Sequence, residues 1–512
     1  MNAFDDHAPL LPEILSLHGK WKANKPALVC GSETLTWAEF EAETNKIAHG
    51  LIARGISRGH MVGVVMSNGR AMVETLVGIM KSGACSVPIN LSVTDDAMNA
   101  MLEDAKVSAI VATEDQTTRL STFLSRHTDV NAIEGETGLA KLKENSSSSS
   151  PKIEINADDL LNVIYSSGTT GMPKGIVHTH KGRRDWAYDL AVALRYNGSA
   201  RTLFTIGLYS NISWVGMLCT LLAGGTMVVE KSFDATRALD LIQAEKITNF
   251  AMVPIQLQRL LEVPGCDDFD LSSVQAIMSC GSPLHADLKE RLFERLGPSS
   301  VIELFGLTEG IITTLEPEEA EGRMASVGKP LLGTDIKIIG DDDNEVPAGQ
   351  SGEVVGVGRI VMPGYLNRPE ATVDATWTSP DGRQWMRTGD IGLLDEEGYL
   401  YIVDRKKDMI LSGGQNIYPQ DIEAVLVKHP AVNEVAVIGV PSDKWGETPL
   451  AIIVCEEGSR ESEADIIAWA NSKLGKQQRV AGAVFTECLP RNPNGKILKR
   501  DLRETHKDWQ HG

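Results

Sequence analysis

Short β-branched runs alternate with helical stretches through the first part of the chain. MVGVVM (61–66), ACSVPI (84–89), SAIVAT (108–113), NVIYSS (162–167), TMVVE (226–230), TNFAMV (248–253) and AIMSCG (276–281) read as buried strands, and residues 71–81 as a helix. Strands separated by helices of about ten to fifteen residues predict βαβ units and parallel sheets. The most apolar stretch, WVGMLCTLLAGGTMVV (214–229), is broken by Gly224-Gly225 and reads as a buried helix running into a strand, too short for a membrane span. After about residue 325 the pattern changes. DIKIIG, GEVVGVG and GYLYIVD are short strands separated by glycine and acidic turns, which predicts an antiparallel, barrel-like region. From Asp404 mixed α/β grammar returns, with a helix over 419–429, strands over 434–440 and 450–456, and a helix over 462–474. The predicted fold class is α/β: a large N-terminal domain (1–403) of parallel-rich sheets plus the barrel-like region, then a small α/β domain (404–512). Ser146–Ser150 reads as an exposed loop.

Composition narrows the class. With 512 residues, 42 % hydrophobic and 23 % charged, the chain is an ordinary globular one of several domains. A net charge of −20 argues against nucleic acid as a partner. The excess is uneven, since residues 404–512 hold 15 Lys+Arg against 16 Asp+Glu. Seven cysteines without a CxxC pair fit free thiols in a reducing compartment, neither a disulfide framework nor a zinc site. MNAFDDHAPLLPEI lacks the apolar core of a signal peptide. A cytoplasmic protein outside the integral membrane class is expected.

The sharpest chemistry lies in Tyr165-Ser-Ser-Gly-Thr-Thr-Gly-Met-Pro-Lys-Gly175, directly behind a predicted strand. Glycines let backbone N–H groups approach phosphate oxygens, hydroxyls donate further bonds, and Lys174 brings a mobile charge. It is not a Walker A loop, because Pro173 precedes the lysine and Gly175 follows it. Read blandly, the stretch is a polar linker, but a linker needs no such ordering behind an apolar strand.

This loop resembles that of the adenylate-forming superfamily of acyl- and aryl-CoA ligases, stand-alone adenylation domains and firefly-type luciferases. Further landmarks follow in the family's order: Gly281-Ser282-Pro283, Glu303-Leu-Phe-Gly-Leu-Thr-Glu309, Arg387-Thr-Gly-Asp390, Tyr401-Ile-Val-Asp-Arg-Lys-Lys-Asp408, Ser412-Gly-Gly-Gln-Asn-Ile-Tyr-Pro419 and Pro493-Asn-Gly-Lys496. The resemblance implies nucleotide contacts from Ser166, Ser167, Gly168, Thr169, Thr170, Gly171 and Lys174 in the loop. It extends them to Gly281, Ser282, Pro283, Glu303, Leu304, Phe305 and Gly306, and to Asp390, Ile402, Arg405, Ser412, Gly413 and Gly414. An ionised aspartate accepts hydrogen bonds only, so Asp390 suits ribose hydroxyls; taken alone it is a turn residue. Glu309 and Thr308, with Thr169, suit a magnesium ion that keeps most of its waters; the bland reading of Thr308-Glu309 is a helix start. Phe305 stands where the family has tyrosine, and an adenine can still stack on it. Lys496 matches the lysine that steadies the charge of the adenylation transition state. Lys407 falls at the family's hinge, so the small domain is expected to be mobile about residues 404–407.

Thr202–Val229 contains no charged residue. In the family this segment lines the acid's pocket, with Tyr209, Asn211 and Trp214 here and Leu307 and Ile311 beyond it. Its neutrality predicts an aliphatic or aromatic monocarboxylate, since an ammonium or second carboxylate would need a buried partner. The family's histidine is replaced by Tyr209-Ser210-Asn211, and a plain core role remains open for Asn211 and Trp214. The sequence thus reads as a ligase that uses ATP, Mg2+ and coenzyme A to convert such an acid to its thioester through an acyl-adenylate. Loading of a carrier protein and luciferase-like oxygenation are the alternatives. A homodimer is compatible with the sequence.

Overall fold

The structure is a computed structural model that describes residues 8–166, 173–282, 284, 286–412, 415–442, 445–475, 478–491 and 496–509. The chain packs as two compact units, Met1–Asp335 with Val357–Thr376 and Ile336–Gly356 with Trp377–Gly512.

In the first unit the alternating grammar builds two sheets. One has six strands, in the order Asn131–Glu134, Ala109–Ala112, Met61–Val65, Cys85–Pro88, Leu160–Ser166 and Lys174–Thr179. All its pairings are parallel except the last, where Ser166 stands opposite Lys174. The other has nine strands and is parallel through its centre, from Pro26–Cys30 across Thr226–Val229, Arg201–Phe204, Asn249–Met252 and Ala276–Ser279 to Val301–Gly306. Antiparallel strands close both edges: Glu33–Thr36 on one side, Ile312–Leu315 and Lys329–Pro330 on the other. The apolar stretch forms the helix Asn211–Ala223, which ends at Gly224 in the left-handed conformation (φ 67°) before the strand Thr226–Val229. Nearly the whole helix is buried, from Ser213 to Leu221. Each large apolar side chain so buried contributes about 1.5–3 kcal/mol. No described helix is long and apolar enough to cross a membrane.

The second unit holds two five-stranded sheets, the later one packed with helices. In the first, Gly352–Gly358 and Leu400–Arg405 flank Gln384–Leu394 in antiparallel register. In the other, the long antiparallel pair Val432–Ser442 and Gly446–Cys455 carries the parallel strand Gly482–Phe485. The helices expected over 419–429 and 462–474 are shorter, Pro419–Leu426 and Glu463–Asn471. Packing divides the chain ahead of residue 404, because Asp390 pairs in register with Arg405 and hydrogen bonds tie the two sides of that boundary together.

Candidate functional site

Functional side chains gather in two groups, one in each unit. A Walker site runs from a strand into a helix, whereas in the first unit the strands on either side of the glycine- and hydroxyl-rich stretch, Leu160–Ser166 and Lys174–Thr179, pair antiparallel. Ser166 and Lys174 close its base, while Ser167, Gly168, Thr169, Thr170 and Gly171 lie outside the described residues. Lys174 Nζ sits 4.9 Å from the centroid of the Tyr365 ring. The Tyr365 hydroxyl donates to Glu309 Oε1 at 2.9 Å. Burial, together with the neighbouring Glu309 charge, raises the phenol's pKa, so Tyr365 stays a donor. The loop lysine and the expected magnesium carboxylate therefore meet at one tyrosine that the motifs did not name.

Thr308 and Glu309 stand in a turn; they do not begin a helix. Met362 N donates to the Glu309 carbonyl at 2.8 Å. That approach requires Gly310: its φ is 105°, and a Cβ there would lie 2.1 Å from the Ile360 carbonyl oxygen. Phe305 is half-buried and Gly306 exposed at the end of the strand Val301–Gly306, with Leu304 buried just before them. Glu303, expected at the nucleotide, has its carboxylate 2.5 Å from the buried Lys289 ammonium. Gly281 (φ 91°) is exposed and Ser282 half-buried after the strand Ala276–Ser279; Pro283 lies outside the described residues. Burial pushes the Cys280 thiol up to about 12, which marks a core residue and not a nucleophile.

Part of the uncharged segment lines a small cavity of about 10 Å³, with Thr202, Phe204, Ile206, Ile212, Ser213 and Gly216 among its walls. Trp214 does not line it. Its side chain is fully buried in the core and its indole N–H donates to the Leu208 carbonyl at 2.9 Å, the partner a buried indole needs. Ile311 is likewise a core residue, while Tyr209 and Leu307 are half-buried. Asn211 opens its helix half-buried, with Oδ1 accepting from Arg183 Nη2 at 2.9 Å. Arg183 lies outside the uncharged segment 202–229 and belongs to none of the motifs. A signal existed: it stands three residues before the buried Trp186 on the helix His180–Ala193, and so shares its apolar face.

In the second unit Asp390 is buried, and its carboxylate lies 2.5 Å from Arg405 Nε. Ile402 is half-buried on the strand that carries Arg405. Lys496 joins this pair. Burial lowers its pKa to about 8, the positive charges of Arg405 and Lys407 add to the effect, and Asp390 and Asp408 oppose it. Lys407 is exposed in the turn that follows the strand, and Asp408 pairs with Arg503. The Asp404 carboxylate accepts from Gln420 N at 3.0 Å, capping the helix Pro419–Leu426; burial raises its pKa to about 6. Ser412 ends the strand Ile410–Ser412, and Gly413 and Gly414 lie outside the described residues.

Residues 18–366 match the family model described as AMP-binding enzyme, and 421–496 the model of its C-terminal domain. The chain belongs to the AMP-binding enzyme family. It is 34 % identical over 479 residues to the long-chain-fatty-acid–CoA ligase FadD13 of Mycobacterium tuberculosis, covering 92 % of this chain and 93 % of that one. Similarity to a feruloyl-CoA synthase of an Amycolatopsis species is 33 % over 478 residues, covering 92 % and 94 %. Among solved structures it resembles ATP-bound MatB from Rhodopseudomonas palustris, with a TM-score of 0.89 and 27 % identity over 98 % of this chain and 99 % of that one. This AMP-binding enzyme is an acid–thiol ligase: it uses ATP to form an acyl-adenylate and passes the acyl group to coenzyme A.

Proposed function

We propose that the enzyme activates a fatty or aromatic monocarboxylic acid with an uncharged tail, in the cytoplasm. The uncharged run Thr202–Val229 supports this most directly, and the small cavity along it has uncharged walls. A charged tail buried there would cost several kcal/mol without a partner. Relatives named for a fatty acid and for ferulate fit the same class.

Lys496 is proposed to steady the charge that develops when the carboxylate attacks the α-phosphate, and Asp390 to hold the ribose. Such chemistry rests on positioning and charge neutralisation and needs no protein nucleophile. Glu309 fits a magnesium ion: among the described residues its side chain accepts from the neutral Tyr365 hydroxyl and pairs with no cation. A bound magnesium ion would neutralise phosphate charge. Lys407 is proposed as the residue whose backbone turns between the two half-reactions.

The experiment is pyrophosphate release with a panel of fatty, aromatic, amino and dicarboxylic acids, with and without CoA. Uncharged-tail acids should exceed the others by about a hundredfold in kcat/KM. An amino acid as best substrate overturns this reading, and a rate indifferent to CoA assigns the acyl group to another acceptor.

A further inference from the structure

Arg183 is only 2 % exposed. Its Nε donates to Asn162 Oδ1 and its Nη2 to Asn211 Oδ1, both at 2.9 Å. The guanidinium lies over two indoles, 4.5 Å from the Trp186 centroid and 5.4 Å from that of Trp214. Among the described residues no carboxylate pairs with it. A guanidinium carries five N–H donors, and these bonds use two.

The surroundings are also short of acceptors. Among the described residues Asn162 Nδ2 is buried with no hydrogen-bond partner; Nε2 of His178, opposite Asn162 across the two strands, also has none and is a donor or an acceptor according to the tautomer. Burial and the Arg183 charge hold the His178 imidazole neutral. Buried donors are almost always satisfied in folded proteins, so the remaining Arg183 N–H groups and Asn162 Nδ2 are set up for an acceptor from outside the chain. Asn211 adjoins the small cavity of the uncharged segment, because the next two residues, Ile212 and Ser213, line it.

We propose that Arg183, together with Asn211, receives an oxygen acceptor on the tail of the acid, so that oxygenated acids (oxo, hydroxy or alkoxy) are preferred over plain hydrocarbon ones. This rests on the ligase reading above and narrows its substrate class. A charge-assisted hydrogen bond in a water-poor site is strong, and a methyl group in its place leaves the donors unmet.

The test uses the full-length enzyme and acids matched in length that end in a methyl, a methyl ketone, a methoxy group or a carboxylate. ATP–pyrophosphate exchange and thioester formation are measured for each. Wild type should favour the ketone or methoxy acid over the methyl one by about a hundredfold in kcat/KM. Arg183→Met should bring that ratio below about tenfold, and Arg183→Lys should fall between them. A wild-type ratio near one, or an unchanged ratio in Arg183→Met, overturns the proposal; the wild-type panel decides even if the variant fails to fold. A preference for the carboxylate-ended acid keeps the assignment of Arg183 and overturns the uncharged tail. No exchange with any acid overturns the ligase reading, and this proposal with it.

Discussion

Two regions of the first unit bury a cation equally deeply and treat it differently. Beneath the strand Val301–Gly306, Lys289 meets the Glu303 carboxylate at 2.5 Å and the Met324 carbonyl at 2.7 Å. Lys81 follows the same rule, with Glu41 at 2.5 Å and the side-chain oxygens of Thr44 and Asn45 close by. At the start of the helix His180–Ala193, Arg183 meets two amide oxygens and two indole faces but no described carboxylate. A buried charge with its own counter-charge belongs to the framework; one without it is available to a ligand. The same contrast separates the two acidic residues of one motif. Glu303 is committed to Lys289, whereas Glu309 meets, among the described residues, only the neutral Tyr365 hydroxyl with its side chain.

The sharpest way to break this comparison is Glu303→Gln, which leaves the Lys289 ammonium buried without its counter-charge. A loss of about 3–5 kcal/mol in urea-derived stability is expected. If instead stability is unchanged and only the apparent affinity for ATP falls, Glu303 belongs to the nucleotide. Next in size is Lys496→Ala. Adenylation should drop about a hundred- to a thousandfold in stopped-flow or exchange assays, while thioester formation from preformed acyl-AMP stays within about threefold. Unchanged exchange would remove Lys496 from the first half-reaction.

Lys407→Pro probes the turn beside that lysine. The flanking amides of Lys406 and Asp408 make the turn's hydrogen bonds, to the carbonyls of Gly389 and Arg405, both at 2.9 Å. Proline fixes φ near −65° and restricts the preceding residue. Thioester formation should fall about a hundredfold with adenylation largely kept; equal loss of both steps would argue against a hinge there.

The smallest effect is a pH profile. The Lys496 pKa, at about 8, lies below the ordinary lysine range, so its proton is lost as pH rises through 8. Adenylation that needs the ammonium should therefore decline about tenfold per unit above pH 8. Lys496→Arg should flatten this limb, because a guanidinium stays charged. A wild-type rate that stays level to pH 10 would separate the titration of Lys496 from the chemistry.

Most strands were legible in the sequence, because a short β-branched run bounded by turn residues records burial without reference to distant neighbours. MVGVVM, TMVVE and AIMSCG all fall on observed strands. The glycine- and hydroxyl-rich stretch 165–175, Glu309, Asp390 and the uncharged run 202–229 stand out as local residue patterns, and their roles rest on the proposal above. Helix ends were less so: the last turns expected near His429 and Leu474 are not helical. The pairing of charges could not be read at all. Arg183 draws its partners from residues 162 and 211, and Lys289 finds Glu303 on a neighbouring strand. Lys496 has its pKa set by residues 390, 405, 407 and 408. Periodicity encodes which positions are buried, one element at a time. Which charge is answered depends on segments that meet only after the chain has folded, and tertiary structure alone decides that.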